Sequence, residues 1–310
     1  MAVPYTNPSG KLVVAMGPEG RRQSQTVTAA LDELLDILDL EPIEVNIFRG
    51  RSPDEQRQRV FGGQVAGQAL VAAGRTVDPD RPVHSLHAYF IRPGDPNVPI
   101  LYDVDRLRDG RSFTTRRVVA IQHGKAIFNL SASFHVPESG MEHQLPFPEG
   151  VPDPETMPTF QERMAPYAER MGDWFHRPRP IDQRYVADPP RVRKERRPPN
   201  QQVWMRADGK LPDDPLLHAC VVAYASDMSL LDSVYLPHAL SWDSPGVQGA
   251  SLDHAMWFHR PFRADEWFLY DQCSPSAYGA RGLGEGEIFQ RDGNLVVSVV
   301  QEGLVRVRDR

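Results

Sequence analysis

The 310-residue sequence predicts an α+β fold in which one unit, a long buried helix wrapped by an antiparallel β-sheet, occurs twice. Two runs of helical length with almost no charge, residues 60–77 and 215–231, predict the buried helices, since a helix without a polar face must be enclosed. Each run is followed by segments rich in β-branched and aromatic residues. Residues 137–199 hold 13 of the 29 prolines and therefore predict a linker between the units.

The first unit is expected to cover residues 26–136, after a polar and flexible N-terminal tail at residues 1–25. Thr28 suits the N-cap of an opening helix whose apolar stripe runs from Leu31 to Leu38. Gly62, Gly63 and Gly67 permit close approach of sheet strands or of a ligand to the buried helix, and tight packing alone explains them at least as well. Strands are predicted over residues 85–91, 100–107, 112–122 and 126–135.

The second unit is expected to cover residues 200–310 and to repeat this order of elements. Its strands are predicted over residues 249–259, 266–273, 280–290 and 295–307, and the linker is expected to hold a short helix near residues 160–171. The segment Trp257–Pro261 (WFHRP) matches Tyr89–Pro93 (YFIRP) at a spacing of 168 positions. This match indicates an internal duplication, and two such units in one chain make a double hot-dog fold.

The bulk composition disfavours several classes of protein. A formal net charge of −6 at pH 7 argues against a nucleic-acid-binding protein. No run of 18 apolar residues occurs, so no stable membrane insertion is expected, and the absence of a signal-peptide pattern predicts the cytoplasm. Cys220 and Cys273 form no CxxC motif and are expected to be reduced core residues, and neither a metal nor a cofactor is predicted.

Asp227 is the most informative residue of the second buried run. It continues an apolar stripe at helical spacing from Leu216, Cys220 and Ala223. A carboxylate in such a place costs several kcal/mol unless it is hydrogen-bonded or has a function. The spacing therefore predicts either a desolvated general base with a raised pKa or a structural Asp bonded to nearby backbone.

Three further polar positions fall in the strands of the second unit. Gln301 continues the strand face that holds Val297 and Val299, so its amide must find partners, either a loop carbonyl or a reacting water. Ser251 opens a strand-like segment and by itself is expected to be structural. Asp253 and His254 follow it, and although they are a conceivable catalytic pair, a satisfied structural role is expected for each.

Long motifs in both units resemble the acyl-CoA thioesterase II family. In the first unit they are Phe61–Val65 (FGGQV) and Phe90–Asp95 (FIRPGD). In the second they are Tyr224–Asp227, Ser251–Phe262 and Val300–Gly303. The resemblance extends from about residue 30 to residue 307, apart from much of the Pro-rich segment.

The resemblance implies hydrolysis of acyl-CoA thioesters to free fatty acid and coenzyme A. It implies that Asp227, Ser251 and Gln301 hold and activate the water, with Ser251 where the family often has Thr. The first unit has no matching Asp, which implies one active site per chain. The resemblance also implies a homo-oligomer, a dimer or a tetramer of the double unit. Candidate contacts to the acyl-CoA substrate are Gly63, Gln64, Arg92, His254 and Arg260.

Two other functions stay open on the sequence. A hot-dog enoyl-CoA hydratase would need an Asp and a His a few residues apart at the start of the buried helix, and neither run offers that pair. A non-catalytic acyl-CoA-binding protein would have no reason to keep all three polar positions. A serine hydrolase is disfavoured because no G-x-S-x-G motif occurs.

Overall fold

The computed structural model describes residues 4–6, 12–14, 28–53, 58–192 and 195–308. Within the expected N-terminal tail it describes two short antiparallel strands, β1 (Pro4–Thr6) and β2 (Leu12–Val14). The rest of the tail lies outside the described residues, so its flexibility stays a prediction.

The helices of the described chain include the two long buried ones expected from the sequence. Thr28 caps the first helix, as predicted, because its hydroxyl accepts a hydrogen bond from the Leu31 N–H at 3.3 Å. The second buried helix ends at Ser226 rather than at residue 231, and Asp227 follows it as the C-cap. The bounds are α1 (Ala29–Leu38), α2 (Gly62–Gly74), α3 (Phe160–Met164), α4 (Ala168–Met171), α5 (Asp173–His176), α6 (Pro215–Ser226) and α7 (Asp232–Tyr235).

The remaining strands join one antiparallel sheet of 13 strands. They are β3 (Glu41–Glu44), β4 (Ile47–Gly50), β5 (Val83–Phe90), β6 (Ile100–Asp109), β7 (Phe113–Gln122), β8 (Lys125–His135), β9 (Ile181–Tyr185), β10 (Asn200–Ala207), β11 (Val247–Ser251), β12 (Asp253–Phe258), β13 (Phe268–Tyr278), β14 (Arg281–Gln290) and β15 (Leu295–Val307). Their order is β3-β4-β6-β7-β8-β5-β12-β15-β14-β13-β10-β9, and β11 also pairs with β15.

Several strand predictions needed correction. Four strands were not predicted from the sequence, and all of them lie at or near the two ends of the sheet: β3, β4, β9 and β10. The strand expected over residues 249–259 is two strands, β11 and β12, with a break at Leu252. Cys273 was expected in the core, but it is exposed on β13, whereas Cys220 is buried. Neither cysteine forms a disulfide.

The two halves meet at the centre of the sheet, where β5 pairs with β12. His87 lies opposite Ala255 in this pairing. These two residues are 168 positions apart, which is the spacing of the internal sequence match. The pair therefore marks a local pseudo-twofold axis, and the fold is the predicted double hot dog.

The buried helices α2 and α6 pack side by side in antiparallel directions. A Cβ atom added at Gly63 would lie 2.4 Å from the Tyr224 carbonyl oxygen, and one added at Gly74 would lie 2.5 Å from the Leu216 side chain. The start of α2 therefore meets the end of α6, and the end of α2 meets the start of α6. Glycine allows this close approach of two backbones, so tight packing accounts for Gly63.

No helix within the described ranges has both the length and the apolar character needed to cross a membrane.

Candidate active site

A cavity of about 620 Å³ opens where the start of α2 faces the end of α6. One wall belongs to the first half of the chain and is mostly apolar, with Phe61, Val65, Phe90, Ile127 and Phe128. The other wall belongs to the second half and contains Asp227, Met228, Leu231, Trp242 and Ser251. The site therefore needs both halves of the chain.

Asp227 is the carboxylate in the wall of this cavity, and three groups donate hydrogen bonds to it. The Gln301 Nε2 lies 2.6 Å from its Oδ1, and the Ser251 Oγ lies 3.2 Å from the same oxygen. The third donor is the backbone N–H of Gly63. Burial raises the pKa of Asp227 to about 6, although these donors and the Arg59 guanidinium act in the opposite direction. The carboxyl group therefore changes charge near neutral pH.

The pairing of β11 with β15 explains why Ser251 and Gln301 meet at one oxygen. Ser251 lies opposite Gly303 in this pairing, so their positions share one face of the sheet. Gln301 is two residues from Gly303 along β15 and points to the same face. The two side chains differ in exposure, since Ser251 lines the cavity and Gln301 has no exposed surface. The structure thus brings together the three residues that were predicted to form the site.

The N-terminus of α2 is also part of the site. Gly63 was predicted to contact substrate, but it does not line the cavity, and its N–H donates to Asp227 instead. Gly62 lines the cavity, and a Cβ atom added there would lie 2.7 Å from the Asp227 Oδ2. Asp227 thus lies against the N–H groups of the first helical turn, where the helix dipole favours negative charge. The signal in the sequence was the FGGQV motif, but its partner could be found only from the antiparallel packing of α2 and α6.

The residues predicted to contact substrate are dispersed. Arg92 lines the cavity, whereas Gln64, His254 and Arg260 are not in its wall. Gln64 donates to the Arg51 carbonyl and to the Ser52 hydroxyl.

Arg260 donates to the Leu295 carbonyl, and the His254 imidazole is buried behind Gln301. Arg59, which the sequence analysis missed, lies in the cavity wall and donates to the Gly249 carbonyl. Two arginines of the first half, Arg59 and Arg92, therefore line the cavity.

The end of α2 meets the start of α6 at a second location, which the internal repeat makes equivalent to the candidate active site. The chemical groups at this second location differ from those at the site. The C-cap of α2 is Arg75, where α6 has Asp227. The start of α6 has no free donors to match Gly62 and Gly63, because Pro215 has no N–H and the Asp214 carboxylate accepts from Leu216 and Leu217. This end therefore lacks both the carboxylate and the exposed helix N-terminus.

Metal ligation has no evident place in the described chain. Within those residues no group of three or more His, Cys, Asp or Glu side chains is arranged to hold a metal ion.

The family profiles and the related proteins that match this chain all belong to one family. The profile described as "Acyl-CoA thioesterase" matches residues 174–304, and the one described as "Acyl-CoA thioesterase N-terminal domain" matches residues 51–135. Acyl-coenzyme A thioesterase 8 of Homo sapiens is 43% identical over 305 residues, which cover 94% of this chain and 92% of that protein. Acyl-CoA thioesterase 2 of Haemophilus influenzae is 41% identical over 281 residues, covering 89% and 98%.

A solved structure agrees with these relatives. The crystal structure of acyl-CoA thioesterase II TesB2 from Mycobacterium marinum superimposes with a TM-score of 0.74 at 47% sequence identity. The match covers 89% of this chain and 99% of that one.

Proposed function

Because the chain belongs to the acyl-CoA thioesterase family and is therefore a thioester hydrolase, we propose that it hydrolyses acyl-CoA to free fatty acid and coenzyme A with Asp227 as the general base. The observation that carries the proposal is the cavity-lining Asp227 carboxylate, which accepts three hydrogen bonds and whose pKa is raised to about 6. A base whose pKa lies near the working pH is present in its active form and still accepts a proton readily.

The proposed reaction adds water to the thioester carbonyl. Asp227 takes a proton from the water as the new C–O bond forms, and the C–S bond then breaks to release the thiolate of coenzyme A. The thiolate takes up a proton, and Asp227 returns its own proton to solvent. Since a thiol has a pKa of roughly 8.5, its anion is a stable leaving group and needs no strong general acid.

Ser251 and Gln301 have different parts in this proposal. Ser251 lines the cavity, so its hydroxyl is placed to hold the water beside Asp227. Gln301 was also expected to hold the water, but it has no exposed surface and donates to the carboxylate from behind. We therefore assign to Gln301 the task of fixing the orientation of Asp227.

The oxyanion that forms on the thioester oxygen needs hydrogen-bond donors. Gly62 is the first residue of α2 and lines the cavity, so its N–H is the best-placed donor. A helix N-terminus combines free N–H groups with a favourable dipole, and removal of one such donor typically costs about 10²-fold or more in rate.

The cavity wall also contains groups suited to the acyl chain and to the coenzyme A part of an acyl-CoA substrate. The apolar wall of the first half suits an acyl chain. Arg59 and Arg92 are the cations of the wall, and guanidinium groups bind phosphates well, so we assign to them the phosphates of coenzyme A.

The proposal also includes the organisation of the chain. We propose repeats at residues 26–136 and 200–310 joined by the segment 137–199, with the catalytic residues in the second repeat. We also propose a homo-oligomer, a dimer or a tetramer of this double unit, as the family resemblance implies.

Release of free thiol from decanoyl-CoA tests the proposal. Asp227→Asn keeps the size of the side chain but removes the base, and we expect kcat to fall by about 10³-fold. The matched control is Asp232→Asn, because Asp232 is also partly buried with a pKa that burial raises to about 7, and it does not line the cavity although it bonds to Trp242 of the cavity wall. The control should retain wild-type kcat.

Two outcomes would contradict the proposal. Wild-type thiol release by Asp227→Asn would exclude Asp227 as the base. Water addition to an enoyl-CoA without release of thiol would favour the hydratase instead.

A further inference from the structure

A row of buried polar side chains lies behind Asp227, on the side away from the cavity. The Gln301 amide donates to the Asp227 Oδ1 at 2.6 Å. Next to Gln301 lies His254, which is 1% exposed, and its Nε2 is 2.8 Å from the Ser226 hydroxyl. None of Ser226, His254 and Gln301 lines the cavity, so these three residues do not contact the substrate directly.

His254 and Gln301 lie opposite each other on neighbouring strands. Ala255 of β12 pairs with Val300 of β15, and His254 and Gln301 are one position further along in the same register. Their side chains therefore share one face of the sheet. The Gln301 side chain acts as a hydrogen-bond partner that raises the pKa of His254, although burial lowers that pKa more, to about 4. The imidazole is consequently neutral at physiological pH.

A neutral imidazole has one N–H, and the surroundings determine which nitrogen carries it. The His254 Nδ1 and the Gln301 Oε1 are both buried, and neither atom has a hydrogen-bond partner in the structure. Because the two side chains share one face on paired strands, a bond from Nδ1 to Oε1 would satisfy both atoms. If Nδ1 carries the hydrogen, it donates to Oε1, and Nε2 accepts from the Ser226 hydroxyl. If Nε2 carries it instead, two lone pairs face each other between His254 and Gln301.

The Ser226 hydroxyl has three acceptors within reach. It lies 3.0 Å from the Ala223 carbonyl, 2.8 Å from the His254 Nε2 and 3.7 Å from the Met256 sulfur. Its single hydrogen serves one of them, and the shortest distance favours His254. The hydrogen bonds then run in one direction, from Ser226 to His254, from His254 to Gln301 and from Gln301 to Asp227.

We propose that His254 is a positioning residue that fixes the Gln301 amide with its N–H groups toward Asp227 and thereby holds the catalytic carboxylate. Without the donor at His254 the amide can rotate by half a turn, which would place its oxygen against the Asp227 Oδ1 and repel the carboxylate. The inference rests on the proposed role of Asp227 as the base. It assigns to His254 no contact with substrate.

The first test compares His254→Ala with His254→Asn in the thiol-release assay. Alanine removes the donor, and we expect kcat to fall about tenfold with little change in KM, since a buried acceptor is left without its partner. The Asn side chain can place an N–H near the position of Nδ1, so His254→Asn should recover most of the loss. Equal loss in both variants would overturn the proposal.

The pH profile supplies a readout that a purely structural role would not change. The groups that act on Asp227 are Gln301, Ser251, the Gly63 N–H and Arg59, and the bond from Gln301 lowers its pKa. Loss of that bond should therefore raise the pKa and move the acid limb of kcat/KM to higher pH in His254→Ala. An unmoved acid limb would contradict the proposal.

A double-mutant cycle with Gln301→Ala isolates the path of the effect. If His254 acts only through Gln301, His254→Ala should cause no further loss of kcat in the Gln301→Ala background. Losses that multiply in the double variant would show that His254 acts by another path.

The matched control is His218→Ala, because His218 is 3% exposed and its Nδ1 accepts from the Ala264 N–H, away from the cavity. It should reduce thermal stability while kcat per folded enzyme stays unchanged. Full activity in His254→Ala together with an inactive Asp227→Asn would sink this inference and leave the proposed base intact. Activity in Asp227→Asn would sink both.

Discussion

At the scale of the residue, the proposed function depends on the environment of one carboxyl group. Burial raises the pKa of Asp227 to about 6, and only the deprotonated form accepts a proton from water. We therefore expect kcat/KM to be nearly constant between pH 7 and 8 and to fall about tenfold per pH unit below about pH 6. Stopped assays across this range measure the acid limb of the kcat/KM profile, and far-UV circular dichroism shows whether the protein stays folded. A limb near pH 4 would contradict a desolvated base.

Two of the three central residues stood out in the sequence because each was out of place in its own pattern. Asp227 and Gln301 interrupt apolar stripes, and the family resemblance added Ser251. Arg59 and the N–H of Gly63 could not be predicted, because their part in the site depends on the packing of α2 against α6. His254 was predicted to contact substrate, but the structure places it outside the cavity wall, where it packs under the end of α6 with its Nε2 2.8 Å from the Ser226 hydroxyl.

At the scale of the element, the contact between α2 and α6 holds the two sides of the site together. A methyl group at Gly63 would lie 2.4 Å from the Tyr224 carbonyl oxygen, and backbone cannot rotate away as a side chain can. We expect Gly63→Ala to lower the free energy of unfolding by about 1–3 kcal/mol and to lower kcat as the helix start moves away from Asp227. Urea denaturation and the thiol-release assay measure the two effects.

A glycine without neighbours serves as the control for this prediction. Gly140 has no heavy atom within 4 Å of an added Cβ atom. Gly140→Ala should therefore leave both stability and kcat at wild-type values. If Gly63→Ala behaved in the same way, the close helix contact would not be a constraint in solution.

The elements differ in how well the sequence predicts them. The interior strands β5 to β8 and β13 to β15 contain alternating or continuous apolar residues, and their predicted positions are correct within a few residues, apart from the end of β13. The four residues of β3 are all exposed and include a proline, so no burial pattern marks them. Strands of this kind are recognised only by the partner with which they pair.

At the scale of the whole molecule, the pairing of β5 with β12 and the packing of α2 on α6 predict that the halves unfold together. All five tryptophans lie between residues 174 and 267, so their fluorescence reports mainly on the later part of the chain, and Trp257 also reports on its contact with His87 of the first half. Leu70 lies on α2 with no exposed surface. We expect Leu70→Ala to cost about 2–5 kcal/mol and to lower the denaturant midpoint equally by fluorescence and by circular dichroism.

The outcome that would contradict joint unfolding is specific. If Leu70→Ala shifted the circular dichroism curve but left the fluorescence midpoint unchanged, the first half would unfold by itself. A substitution in the second half cannot make this distinction, because both probes report on it.

The different caps of α2 and α6 have a consequence for how such a chain can change over time. In a symmetric homodimer every substitution is made twice, so one residue must serve both helix ends. Covalent linkage removes that restriction. Here one end of the helix pair has an acidic cap and an open glycine start, while the other has Arg75 and a start already capped by Asp214. In the proposed mechanism only one end of the helix pair carries the catalytic groups, whereas a homodimer would carry them at both ends. Substitutions at the other end are then constrained only by the stability of the fold.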